Sequence, residues 1–160
     1  MKNIAKQIIK IVFLNLCLIT ALFSKLELGT DFPKLVLENQ YAQKVSIPKK
    51  GEVTLLFSFE KGVSTGIQKF LEKQESDFLT QHHMMYISDI SSLPKFLVDF
   101  FVLPKLKSFN FDVALLYEDN SLDKEENKIT VIRLKEHRVV AISFLNVDKL
   151  EEFMARPASF

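Results

Sequence analysis

The apolar and polar positions fall in blocks that predict strands and helices in turn. After Phe32-Pro33, an apolar segment at 34–38, the polar turn Asn39-Gln40-Tyr41-Ala42 and a second short segment at 44–47 predict a β-hairpin. Residues 48–52 break the pattern. Residues 53–59 are then apolar without alternation, which suits a strand buried on both faces of a sheet. Thr65 with Gln68 three residues later fits a capping box, with Ser64 as an alternative cap. Ile67, Phe70, Leu71, Gln74 and Phe78 then recur at helical spacing.

Residues 84–87 predict the next strand, ending at Ser88 and Asp89. Ser92-Leu93-Pro94 start a second helix, with Phe96, Leu97 and Phe100 as its core face and Pro104 as its stop. Residues 111–117 form a strand and 118–128 a polar connection. Residues 129–134 alternate, Lys135-Glu136-His137-Arg138 make a charged hairpin tip, and 139–145 return. Asp148 caps a last helix through Leu150, Phe153 and Met154, followed by a loose tail at 155–160.

The N-terminus follows a different rule. Lys2, Lys6 and Lys10 precede an apolar run from Ile11 to Phe23, which is the architecture of a secretory signal peptide. The 14 residues between Lys10 and Lys25 would reach about 21 Å as a helix. A hydrocarbon core is about 30 Å thick, so cleavage after Ser24 is favoured over a spanning helix. The expected location is the periplasm, with no stable membrane span after cleavage; the alternative is an uncleaved anchor with the domain facing the same compartment. Residues 1–24 are thus read as a signal peptide and 25–160 as one domain.

Composition narrows the chemistry. A chain of 160 residues with 48% hydrophobic and 26% charged residues is globular in character and large enough for a substantial core. Its 15 Phe fit an AT-rich coding bias, with a Phe-lined binding surface as the other reading. The one cysteine, Cys17, lies in the apolar run behind Leu14-Asn15-Leu16, which lack the small residue that lipidation requires. A mature chain has no disulfide, thiol nucleophile or sulfur ligand. The formal charge of +1, less three N-terminal lysines, is −2, with no basic stripe for nucleic acid.

The order is hairpin, strand, helix, strand, helix, strand, strand, helix. With Leu28-Gly29-Thr30-Asp31-Phe32-Pro33 as a G-x-x-x-P entry, it resembles the thioredoxin-like superfamily in its peroxiredoxin-type topology. More closely it is similar to small exported bacterial members that have lost their cysteines. The resemblance implies an α/β three-layer sandwich: a mixed central sheet, helices on both faces and an N-terminal β-hairpin. It places the degenerate active-site junction at Val63, Ser64, Thr65 and Gly66, with the dithiol positions near Val63 and Gly66. The loop that carries a cis-proline in thioredoxins would precede the strand at 111–117. Pro104 is the nearest proline and is too far from it.

Other chemistry finds little footing. Ser64 and Thr65 lack a base, since His82 would stand 18 residues, about 27 Å, along the same helix. Adjacent His82 and His83 do not converge on one ion, and the acidic connection from Glu118 to Glu126 fails the calcium-loop pattern at Lys124 and Thr130. No metal and no cofactor are expected. The strand ends put Glu60, Asp89, Ser91 and Ser92 around any pocket, with Asp89 as a helix cap in the simpler reading. Two functions follow: a non-catalytic binding or accessory module for an envelope protein or peptide, or a cysteine-independent enzyme using a carboxylate or histidine near Glu60 and Asp89.

Overall fold

The computed structural model describes residues 26–47, 50–118 and 122–155. The signal-like segment with Cys17, the breaker residue Pro48, part of the acidic connection (119–121) and the tail at 156–160 lie outside these residues.

The hairpin forms as β1 (Leu35–Asn39) and β2 (Lys44–Ile47). Asn39 closes its loop, its Oδ1 accepting the N–H groups of Tyr41 at 3.0 Å and Gln43 at 2.9 Å. The apolar run becomes β3 (Glu52–Ser58), with every residue from Val53 to Ser58 buried. It leads into α1 (Lys61–Leu71), a one-turn α2 (Phe78–Gln81) and β4 (Met84–Asp89). The next helical segment comprises α3 (Lys95–Leu97), a π-helical turn (Val98–Val102) and α4 (Leu103–Lys107). Strands β5 (Ala114–Leu116), β6 (Lys128–Lys135) and β7 (Arg138–Asn146) follow. A 3₁₀ turn (Val147–Lys149) then enters α5 (Leu150–Ala155).

The seven strands form one mixed sheet in the order β2-β1-β5-β4-β3-β6-β7. β3, β4 and β5 are parallel, and the other pairings are antiparallel. Because β3 lies between β4 and β6, and each face is covered, its side chains need no alternation. Leu56 enters one core cluster, while Val53, Leu55 and Phe57 enter the other. The same position explains β6, which was expected to alternate but is buried continuously from Ile129 to Ile132.

Helices were expected on both faces, yet every described helix sends its buried side chains to one. Val63, Ile67 and Leu71 of α1, Leu79 of α2, Val98, Leu106 of α4, and Leu150 and Met154 of α5 share one cluster. Right-handed crossovers from β3 to β4 to β5 move in a single direction across the sheet, so their helices must fall on the same side. The opposite face is covered by Leu26 and Phe32 of the entry segment. No described helix is long and apolar enough to cross a membrane.

Several boundaries differ from expectation. The first helix ends at Leu71, and a break separates it from α2, so the two histidines do not continue it. The break lets Phe70 and Phe78 meet edge to face at 5.8 Å. Pro104 does not stop its helix. The π turn before it shifts the hydrogen-bond register where the missing N–H falls. The strand at 111–117 shrinks to Ala114–Leu116, because Phe111 instead stacks on Phe109 at 4.9 Å. Asp148 lies within the 3₁₀ turn rather than at a cap.

Candidate functional site

The junction is built differently from a loop. Glu60 is extended (φ −131°, ψ 146°) at the N-cap of α1, two residues past the end of β3, and Ser64 N–H already donates to the Glu60 carbonyl at 2.9 Å. Val63, Ser64, Thr65 and Gly66 therefore lie inside α1, and neither hydroxyl caps it. Val63 is only 3% exposed and belongs to the core, so it offers no apolar contact to a partner. The solvent-facing positions of the first turn are Lys61 and Gly62.

Sequence reasoning missed what holds this turn down. Ser64 Oγ donates to Ser58 Oγ at 2.8 Å, and Ser58 Oγ lies 3.1 Å from the Tyr86 hydroxyl. Ser58 and Tyr86 are wholly buried, so the three hydroxyls satisfy one another beneath the helix start. Ser64 thus faces another hydroxyl and not a base. Gly66 lies against Val147, where a Cβ would collide with the valine methyls.

The segment that closes over the junction precedes β6, not β5. Asn127, in the left-handed region at φ 58°, donates its N–H to Glu60 Oε1 at 2.8 Å. Residues Glu125-Glu126-Asn127 occupy this approach, with no proline among them. β5 lies beyond β4, whereas β6 is the antiparallel neighbour of β3, so the approach to β6 and not the one to β5 stands beside the junction.

Asp89 Oδ1 accepts the Ser91 N–H at 2.8 Å, closing a local turn; the helix beyond is preceded by Pro94, so Asp89 is not its cap. The nearby cleft, about 440 Å³, is lined by Glu38, Ile90, Ser91, Leu93, Lys95, Val98, Asp99 and Tyr117. Of Glu60, Asp89, Ser91 and Ser92, only Ser91 lines it. Lys95 Nζ and Asp99 Oδ2 pair at 2.6 Å across its rim. Burial, then Glu38 and Asp99, hold the Tyr117 phenol above its ordinary range, with Lys95 acting weakly in the other direction.

Beside the cleft, Phe96, Phe100 and Phe101 are 59%, 74% and 68% exposed. The core face runs instead through Val98, Val102 and Leu106, a spacing of four that the widened π turn accommodates. Phe96 and Phe100, expected on the core face from their spacing, are thus on the surface. The signal that could have corrected this is the run from Phe96 to Leu103, apolar at every position but Asp99. A helix apolar all round has more apolar surface than one core face can bury.

No known family model matches the chain, and no curated protein sequence matches it either. Its structure is similar to that of the peroxidoxin BcpB from Mycobacterium tuberculosis. That match has 10% identity over 81% of this chain and 94% of that one, with a TM-score of 0.51. It is also similar to a thiol:disulfide interchange protein from a Bacteroides species, at 13% identity over 83% and 93% of the two chains, with a TM-score of 0.50. At such identity the likeness concerns the backbone arrangement alone. The mixed sheet, its N-terminal hairpin and the helix that springs from the end of β3 make this a thioredoxin-like fold.

Proposed function

We propose that the chain is an exported, non-catalytic thioredoxin-like module that holds a protein partner on the Phe96, Phe100 and Phe101 face. The observation that carries this reading is the exposure of three phenylalanines on one helical segment. Phe96 and Phe100 are one turn apart, and Phe101 adjoins them. Contiguous apolar surface of this kind is uncommon on a soluble monomer and marks contact sites. The junction supports the non-catalytic half: residues 25–160 contain no cysteine, and the Ser64 hydroxyl is committed to Ser58. The carboxylates of Glu60 and Asp89 accept the backbone N–H groups of Asn127 and Ser91, which gives the enzymatic alternative no particular support.

A photo-crosslinking residue at position 100 in living cells should give a discrete protein adduct, while one at Lys69 on α1 should not. Phe101→Ser in the position-100 probe should reduce the adduct without loss of fold. Absence of any adduct from position 100 would overturn the binding reading. Export is checked separately: the mature N-terminus, read by mass spectrometry, is expected near Lys25.

A further inference from the structure

The cleft is lined by the apolar side chains of Leu93 and Val98, by Tyr117, and by three charged residues, Glu38, Lys95 and Asp99. Two of those charges cancel: Lys95 and Asp99 form a close pair. Glu38 is left. It is exposed on β1, and Lys44, its neighbour across the hairpin, forms no ion pair with it. Among the described residues no cation meets its carboxylate. The cleft is therefore an apolar slot with a carboxylate at its edge that no ion pair holds among the described residues. Its Lys95, Val98 and Asp99 belong to the helical segment that also carries the exposed phenylalanines.

Resting on the binding reading above, we infer that this cleft takes a partner segment presenting an apolar side chain beside a lysine or arginine. The apolar group fills the slot against Leu93, Val98 and Tyr117, and the cation reaches Glu38. An anionic lipid surface fits less well, because the charge left over at the rim is negative. Burial is the largest cause of the upward displacement of the Tyr117 phenol and the Glu38 carboxylate the next, which agrees with Glu38 acting on the slot.

The test uses the full chain and two dodecapeptide probes with identical phenylalanine and leucine positions, one with lysines between them and one with glutamates. Fluorescence anisotropy at low salt should show the lysine peptide binding roughly tenfold tighter. The preference should shrink at high salt, because exposed charges are screened. Glu38→Gln should abolish it and Glu38→Lys should invert it, with circular dichroism unchanged. Equal binding of both peptides, or tighter binding of the glutamate peptide, would overturn the charge inference. If that equal binding still vanished in Phe100→Ser/Phe101→Ser, the binding face would survive it. No binding of either peptide, or capture only by phosphatidylglycerol vesicles, would sink both.

Discussion

Gly66 and Val147 meet so closely that no side chain fits between them: a Cβ built on Gly66 falls within the valine methyls. The contact joins α1 to the turn that carries α5, and so seats the C-terminal helix on the core cluster that both share. Two effects oppose each other at this position. Replacing a helical glycine by alanine gains about 1 kcal/mol in propensity, whereas forcing a methyl into a packed contact costs about 1–3 kcal/mol. Overpacking should win, because the partner is a β-branched residue with little rotamer freedom. Gly66→Ala should therefore lower stability in urea titrations, and Val147→Ala in that background should restore part of the loss. A stabilised Gly66→Ala would show that the helices are not in such close contact.

The hairpin and β3 were legible in the sequence, because the first follows from local turn chemistry and the second from a run of apolar residues too long for one exposed face. The start of α1 was not legible. Ser64 and Thr65 have the residue types of a cap, and only the tertiary position of Ser58 shows that the serine points into the protein. Phe96 and Phe100 share the period of a core stripe; only the nearly unbroken apolar run from Phe96 to Leu103 hinted that one face could not bury them all, and nothing in it locates the π turn at Val98–Val102. The approach to β6 was likewise hidden, since strand adjacency depends on the whole sheet and not on the chain nearby.

The three hydroxyls beneath α1 give a second test. Removing one partner of a buried hydrogen bond costs about 1 kcal/mol, and more when the other group is left without water. Ser64→Ala and Tyr86→Phe should each destabilise by about that amount, with Ser58→Ala the largest loss because Ser58 joins the other two. Thr65→Ala, by contrast, should change stability by less than about 0.5 kcal/mol, since Thr65 is inside the helix and caps nothing. Calorimetry on the four variants would decide it. A large loss for Thr65→Ala alone would restore the capping-box reading.

The β6–β7 hairpin stores strain at its tip. Glu136 and His137 have φ of 46° and 74°, a left-handed pair forced by the two-residue turn between Lys135 and Arg138. Asparagine and glycine adopt these angles with less cost than glutamate and histidine. Glu136→Asn/His137→Gly should therefore raise stability by about 1 kcal/mol, visible as a higher melting temperature. The Glu136 N–H, which donates to the Gly51 carbonyl at 2.9 Å, is retained in the variant. An unchanged or lower melting temperature would argue against a strained tip.

The Tyr117 phenol provides the last test, at the rim of the cleft. Burial is the largest cause holding it above its ordinary value of 10.0, followed by the charges of Glu38 and Asp99. A raised value means that the folded protein binds the phenolic proton more tightly than the unfolded chain does. The associated stability is then fully present below about pH 10 and is lost as pH rises through the folded value. Phenolate absorbance, taken as the difference from Tyr117→Phe, should show a midpoint above 10.0. Glu38→Gln should bring it part of the way down, since burial remains. Asp99→Asn should lower it further, because it removes one carboxylate and leaves Lys95 unpaired beside the phenol. If neither substitution moves the midpoint, burial alone accounts for it, and the action of Glu38 on the cleft loses this support.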